Sequence, residues 1–115
     1  MPVVLASLSR ELPAVAIIDS GADDIMFPAS YAARIGLDLQ RGAYYQFGGA
    51  GSDGQAAWFF ENTLRIMTVI SYTAYVGFTP ALESVGCGLL GQNGFFDKFK
   101  VDFDLANGLF YLEAP

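Results

Sequence analysis

The stretch Ala16-Ile17-Ile18-Asp19-Ser20-Gly21-Ala22-Asp23-Asp24 decides the fold: an apolar run that ends at a carboxylate, a hydroxyl and a glycine. The three apolar residues, two of them β-branched, predict a buried strand, and Gly21 permits a sharp turn directly after it. Such a turn would place Asp19 on the floor of a depression. Asp, Ser and Gly are also among the commonest turn residues, so an ordinary turn at the end of a strand remains an alternative.

Length and composition predict one folded domain spanning residues 1–115. No repeat, composition shift or low-complexity segment divides the chain. Hydrophobic residues make up 53% and charged residues 16%, which excludes a disordered chain. Because a domain of this size has a high ratio of surface to volume, some apolar side chains are expected to face a partner or a ligand groove.

The charge balance argues against nucleic acid and membranes as partners. Six basic and twelve acidic residues give a net charge of -6, with no basic run, whereas phosphate backbones and anionic lipids need clustered Lys and Arg. The chain contains no histidine, so histidine-activated nucleophiles and histidine-bound metals are excluded, and carboxylates are the obvious acid and base candidates. We expect no metal and no other cofactor.

Cysteine usage and hydropathy predict a soluble, cytoplasmic protein, whether complete or a domain of a longer chain. The single cysteine, Cys87, cannot form an internal disulfide, and its flanking glycines favour a small packed side chain over a nucleophile. No signal peptide is evident. The most apolar long segment, residues 64–78, is interrupted by polar residues and too short to span a bilayer.

Short apolar segments separated by Gly or Pro predict a mainly β, barrel-like domain. A short helix is expected near residues 28–35, ending at Gly36, and a helical turn at 95–99. The predicted strands cover residues 2–8, 14–18, 25–27, 43–47, 56–61, 64–67, 68–72, 74–78, 88–90, 101–105 and 109–112.

The densest glycine segment follows Phe47 and reads Gly48-Gly49-Ala50-Gly51-Ser52-Asp53-Gly54. Strands on both sides predict a hairpin with a movable end, and a plain flexible loop is the alternative. A phosphate cradle is disfavoured because neither a helix pattern nor a lysine follows the glycines.

Three of these segments, in this order, resemble the retroviral-type (retropepsin-like) aspartic proteases. Ile17 to Asp24 is similar to the catalytic Asp-Thr/Ser-Gly-Ala segment, and Phe47-Gly48-Gly49-Ala50-Gly51 to the flap. Leu89-Leu90-Gly91-Gln92-Asn93 is similar to the element that braces the catalytic loop. The resemblance covers essentially the whole chain and implies an all-β, single-domain closed barrel with a flap hairpin and one or two short helices.

The resemblance also implies an assembly and a reaction. One chain has one Asp-Ser-Gly and so supplies half of the family's active site, which implies a homodimer with a two-fold axis at the site. The chain termini, residues 1–4 and 110–114, would pair into a shared sheet. The two Asp19 carboxylates would share a proton and activate a water that hydrolyses a peptide bond in an extended polypeptide.

Individual roles follow from the same resemblance. Asp19, Ser20 and Gly21 form the catalytic segment, in which the Ser20 hydroxyl bonds across the dimer and Gly21 allows close backbone approach. Substrate-contacting positions are the loop residues Ala22, Asp23 and Asp24, the flap residues Phe47, Gly48, Gly49 and Ala50, and the pocket wall Leu89. Asp23 and Asp24 are equally well interpreted as solvated turn carboxylates. Core packing is the alternative for Leu89 and the favoured interpretation of Leu90.

Two departures from the family pattern affect substrate preference and dimer strength. Gln92 stands where retroviral members commonly carry Arg, so an ion pair to Asp23 is replaced at most by a neutral hydrogen bond. The flap tip is rich in small residues, which predicts looser closure. Two alternatives to an endopeptidase remain: a weakly active or inactive domain of this fold that binds peptides or dimerises, and a generic β-barrel with coincidental motifs.

Overall fold

A computed structural model describes residues 1–47, 55–67 and 70–113 of the chain. The described part contains one α-helix, α1 (Ser30–Arg34), and two 3-10 helices, at Leu39–Arg41 and Pro80–Leu82. Its strands are β1 (Pro2–Ala6), β2 (Glu11–Ile18), β3 (Ile25–Pro28), β4 (Ala43–Phe47), β5 (Gln55–Ile66), β6 (Ile70–Thr79), β7 (Gly88–Leu90), β8 (Lys100–Asp104) and β9 (Leu109–Glu113).

Six strands close into a barrel. The hydrogen-bonded order is β1-β2-β7-β3-β6-β5, and a β1–β5 pairing completes the ring. The pairs β2–β7 and β3–β6 are parallel, and the other pairs in the ring are antiparallel. β4 extends the sheet beyond β5. The closed, mainly β architecture predicted from the sequence is confirmed, with one α-helix in the described part.

The barrel interior is filled by aliphatic and phenylalanine side chains from every strand of the ring. Leu5, Ile25, Leu64, Val76 and Leu90 are fully buried there. β2 contributes only one face, because alternate side chains of a strand point to opposite sides. Ala16 is buried and Ile18 packs against the core, but Ile17 is 49% exposed. The predicted strand is therefore present, while the expectation that the whole run is buried is wrong.

The long strand β5 serves two apolar clusters. Its side chains at Leu64 and Ile66 enter the barrel interior, whereas Ala57 and Phe59, which lie nearer the other end of the strand, join a smaller cluster with Met26 and Leu82. We call this the cleft cluster. It lies outside the main core, at the end of β5 that pairs with β4.

Two strand predictions were too short. Residues 56–61 and 64–66 belong to the single strand β5, and Met67 lies in the turn after it. Residues 70–72 and 74–78 belong to the single strand β6, and residues 68–69 of the predicted strand 68–72 lie outside the described residues. Polar Asn62 and Thr63 interrupt the apolar pattern, yet both pair with β6, opposite Ala74 and Thr73. β5 therefore continues across these two polar residues because its backbone remains paired with β6. The predicted first strand also ends early, at Ala6.

The two chain ends differ in their pairing. β1 is bonded to β2 on one edge and, over Val3–Ala6, to β5 on the other, so those four residues have no free edge for a second subunit. The expectation of a shared intersubunit sheet is therefore wrong for Val3 and Val4, and for residues 110–114 it stays a prediction. β8 and β9 form a separate two-stranded hairpin with a turn at residues 105–108, as predicted.

The described helices are short. Within the described ranges no helix combines the length and the apolar character needed to cross a membrane.

Candidate active site

Two parallel strands end side by side at the site. β2 and β7 run in the same direction, with Ile18 opposite Leu90, so the segments after them leave the barrel at the same edge. The Asp19 amide donates a hydrogen bond to the Leu90 carbonyl oxygen (3.0 Å). The loop after β2 (Asp19–Asp24, the catalytic loop) and the turn after β7 (Gly91–Asn93, the brace) are therefore neighbours from their first residues.

The Asp19 carboxylate is half-buried and held by its own loop. Its Oδ1 accepts a hydrogen bond from the Gly21 amide (2.9 Å), and its carbonyl oxygen accepts one from the Ala22 amide (3.1 Å). A Cβ at position 21 would lie 3.2 Å from Oδ1. Glycine therefore keeps the carboxylate uncrowded while its N–H fixes one oxygen and leaves the other directed away from that bond.

The brace is bonded to the catalytic loop along its backbone. The Gln92 amide donates to the Ala22 carbonyl (2.9 Å), and the Asn93 amide to the Asp23 carbonyl (2.8 Å). Contact at Gly91 is closer still, since a Cβ there would lie 2.4 Å from the Asp24 carbonyl oxygen and 2.6 Å from that of Ala22. Because those atoms are backbone and cannot rotate away, only glycine fits.

Two side chains of the brace add to this contact. The Gln92 amide nitrogen, Nε2, donates to the Ser20 carbonyl oxygen (2.7 Å), and Asn93 Nδ2 donates to Asp24 Oδ1 (3.1 Å). Gln92 thus makes a neutral hydrogen bond to the loop backbone. Asn93 positions one oxygen of Asp24 and leaves its other oxygen free of this bond.

A turn at residues 94–99 connects the brace to β8. The Phe96 amide donates to the Gly91 carbonyl and the Phe99 amide to the Phe95 carbonyl, which gives the helical turn predicted there. The Tyr72 hydroxyl donates to the Gly94 carbonyl oxygen (2.6 Å). Burial, with the Asp97 carboxylate as a second cause, raises the pKa of Tyr72, so the phenol stays a neutral donor.

The catalytic loop lies against a cleft of about 680 Å³. Six residues predicted as site residues line it: Asp19, Gly21, Ala22, Asp23, Asp24 and Leu89. Leu89 is half-buried and faces the cleft, whereas Leu90 is fully buried in the barrel, as strand alternation requires. The core assignment of Leu90 is confirmed.

The remaining predicted residues are not placed in the cleft lining. Ser20 is exposed and adjacent to it. Gly48, Gly49 and Ala50 lie outside the described residues, as does the side chain of Phe47. The Phe47 backbone closes the β4–β5 pairing opposite Gln55, so the hairpin stems on both sides of the glycine segment are as predicted.

Sequence reasoning missed most of the cleft wall. The additional lining residues are Met26, Tyr45, Gln46, Phe59, Tyr75, Thr79, Ala81 and Leu82. The β4–β5 register about the glycine segment could have placed Tyr45 and Phe59 on one face. The β5–β6 register would likewise place Tyr75 on the face of Phe59. Leu82 carries no such signal, because it follows β6 and reaches the cleft by packing with Met26 and Phe59.

The described residues contain no group of three or more Cys, Asp or Glu side chains arranged to hold a metal ion. The carboxylates that line the cleft are those of Asp19, Asp23 and Asp24, and they lie beside apolar and aromatic side chains.

Comparison with known proteins agrees with this arrangement. The sequence profile described as aspartyl protease matches residues 5–93. The chain belongs to the aspartyl protease family. The matched segment includes both the catalytic loop and the brace and ends before β8. A search of curated protein sequences finds no significant match.

Among solved structures, this aspartyl protease family member is similar to a retropepsin-like aspartic protease from Rickettsia conorii. The two are 17% identical with a TM-score of 0.62, and the alignment covers 91% of this chain and 84% of the other. The similarity confirms the retropepsin-like fold predicted from the sequence.

Proposed function

We propose that the protein is a homodimeric aspartic endopeptidase in which each chain contributes one Asp19 carboxylate to a shared active site. The observation that carries the proposal is the state of Asp19. It lies half-buried on a cleft wall, at the meeting point of two parallel strands, with one oxygen fixed by the Gly21 N–H at 2.9 Å. The same hydrogen bond occurs in ordinary Asx turns, so the feature that favours a catalytic role is the position of the carboxylate on the cleft wall, where β2 and β7 end together.

The reaction follows from two such carboxylates facing each other. Like charges a few ångström apart cannot both ionise cheaply, so the pair shares one proton, as aspartic proteases do generally. The ionised Asp19 takes a proton from a water whose oxygen attacks the peptide carbonyl carbon, while the protonated Asp19 donates to the carbonyl oxygen. The tetrahedral intermediate then collapses, the C–N bond breaks, and the amine leaves with a proton.

An extended polypeptide is the substrate that suits the cleft. In the described part of the chain β4 pairs only with β5, so its other edge can accept a peptide as an added strand. The hairpin that carries Gly48, Gly49 and Ala50 would close over that peptide and exclude water. Leu89 and Phe47 would form pocket walls, and the catalytic-loop carboxylates Asp23 and Asp24 would contact its main chain.

The C-terminal hairpin supports assembly with a second copy. The pairs Val101–Leu112 and Phe103–Phe110 place four apolar side chains on one face, which we call the hairpin face. Val101 and Leu112 pack against the barrel core, but Phe103 is 55% exposed. A lone two-stranded hairpin is marginally stable in water, so a symmetric partner covering this face would stabilise it.

The hairpin and the catalytic loop are linked through the brace. The Asp97 amide donates to the Gln92 carbonyl (3.1 Å), three residues before β8 begins. Ser20 is exposed, and in the described part of the chain its hydroxyl makes no hydrogen bond. That hydroxyl is thus available to the second subunit, as the proposed dimer requires.

The test is cleavage of a diverse peptide library, read by mass spectrometry from mildly acidic to neutral pH, with Asp19→Asn as the matched variant. We expect cuts by the unmodified protein and none by Asp19→Asn, which keeps the side chain's size but cannot act as a base. Circular dichroism of the variant controls for folding. Equal cleavage by both proteins would overturn the mechanism, and a dimer that cleaves nothing would favour a peptide-binding module.

A further inference from the structure

Three aromatic rings form one wall of the cleft. Tyr45 on β4, Phe59 on β5 and Tyr75 on β6 lie in a row, which we call the aromatic wall. Their ring centroids are 5.4 Å apart for Tyr45 and Phe59, in an edge-to-face arrangement, and 5.2 Å apart for Phe59 and Tyr75, which are stacked. Phe59 is 7% exposed, whereas both tyrosines are about half exposed. Their free surfaces belong to the cleft.

Small residues opposite Phe59 make room for this row. Phe59 pairs with Ala43 on β4 and with Gly77 on β6. A Cβ at position 77 would lie 2.5 Å from Met26 Sδ and 2.7 Å from Phe59 Cζ. The absence of a side chain at Gly77 therefore lets Met26 and Phe59 contact the backbone of β6 directly, between the positions of the two tyrosines.

Another part of the cleft lining is acidic. Asp19, Asp23 and Asp24 line the cleft, and none of the residues lining it in the described part of the chain is Lys or Arg. Asp24 Oδ1 is held by Asn93 at 3.1 Å. The ion pair found among the described residues, Arg65 with Glu11, lies outside this lining. The cleft thus joins flat aromatic surface to carboxylates without counterions.

We propose that this cleft, in the endopeptidase proposed above, binds a substrate arginine side chain beside the cleaved bond. A guanidinium is planar, is attracted to aromatic faces and bonds carboxylates in a fork geometry, so it satisfies both parts of the cleft lining. An aliphatic side chain would fill the wall but leave the carboxylates partly desolvated without a partner. An acidic side chain would be repelled by Asp23 and Asp24.

The experiment compares peptides that differ at one position. A cleaved library sequence is made with arginine, citrulline or leucine at each position around the cleaved bond. If no peptide is cleaved, the three residues are placed at each position of an extended peptide in turn. Citrulline has the shape of arginine without its charge. Cleavage is measured with the unmodified protein, and equilibrium binding by fluorescence polarisation with Asp19→Asn, which tests the cleft whether or not catalysis occurs.

We expect arginine to exceed citrulline about tenfold at one position, in both kcat/KM and affinity, and the ratio to fall as salt is raised. Asp24→Asn should reduce that ratio to near one, and Tyr45→Leu should lower it about threefold. Matched controls are Tyr44→Leu, an exposed tyrosine on the same strand that is not in the cleft lining, and Asp102→Asn, an exposed carboxylate on β8. Both should leave the ratio unchanged.

The outcomes separate this inference from the proposed function. Equal use of arginine and citrulline, or a preference for leucine, overturns the inference. If the protein still cleaves peptides at specific bonds, the proposed endopeptidase function stands. A tenfold arginine preference in binding without any cleavage supports the inference and overturns the endopeptidase. Absence of binding by every peptide overturns the inference as well. If the ratio of arginine to citrulline is unchanged in Asp24→Asn, the preference arises outside this cleft and the inference is overturned.

Discussion

The brace and the C-terminal hairpin follow each other in the chain, but only the brace makes all of its close contacts within a single chain. The brace at Gly91–Asn93 bonds its backbone and its side chains to the catalytic loop. The hairpin leaves Phe103, Leu105, Leu109 and Tyr111 at least half exposed. The brace is finished within a single chain, whereas the hairpin has apolar surface that only another surface can cover.

This difference predicts that the brace determines the stability of each chain and that the hairpin determines the association of two chains. Close backbone contact at Gly91 holds the catalytic loop in one conformation in each chain, so we expect substitutions there to unfold the chain or loosen the loop. The hairpin lies outside the barrel ring, and we expect substitutions on its exposed face to change association and to leave each barrel folded. The predictions below test this separation.

The largest expected effect is at Gly91. Gly91→Ala places a methyl group within 2.4–2.8 Å of three backbone atoms of the catalytic loop, which must move as a unit. We expect a loss of about 3 kcal/mol in the free energy of unfolding, measured by urea denaturation, and loss of cleavage. Gly86→Asn is the control, because that site has open space and a φ of +76° that Asn tolerates. Equal stability of Gly91→Ala and the unmodified protein would contradict the close packing.

The second effect is on the hairpin face. Phe103→Ser removes a half-exposed ring from each subunit of a symmetric dimer, so association should weaken by about 2 kcal/mol, roughly thirtyfold in Kd. Sedimentation equilibrium measures the change, and thermal unfolding should show that the barrel is intact. Leu8→Ser removes a fully exposed side chain from the β1–β2 turn and should not alter Kd. If both variants dimerise alike, the hairpin face is not the interface.

The smallest effect is at Gln92. Gln92→Ala deletes the 2.7 Å hydrogen bond to the Ser20 carbonyl, which should cost about 1 kcal/mol of stability and lower kcat more than it raises KM, because the loop bearing Asp19 loosens. Gln92→Glu has the same shape without the donor and should lose at least as much as the alanine variant, because its carboxylate would face the Ser20 carbonyl oxygen. Full activity in both would show that the backbone bonds of the brace suffice.

Much of the barrel was accessible from the sequence. Three local signals predicted strands and turns that the structure contains. They are the apolar run ending at Asp19, the similar apolar run ending at Gly91, and the Asn-Gly turn of the last hairpin. The joining of residues 56–61 with 64–66 into β5 was missed because pairing with β6, not local composition, continues the strand across Asn62 and Thr63. The half exposure of Ile17 likewise depends on where the barrel lies.

The candidate site divides in the same way. The sequence by itself determined the Asp-Ser-Gly turn, the glycine that fits beside it and the membership of Leu90 in the core, because strand alternation and backbone sterics act over a few residues. Only the tertiary structure decided that β2 and β7 end together, that Val3–Ala6 of β1 has no free edge, and that Tyr45, Phe59 and Tyr75 form one wall. The β2–β7 and β1–β5 pairings join residues far apart in the chain and form only when the ring of strands closes. The aromatic wall depends instead on the exact registers of β4, β5 and β6.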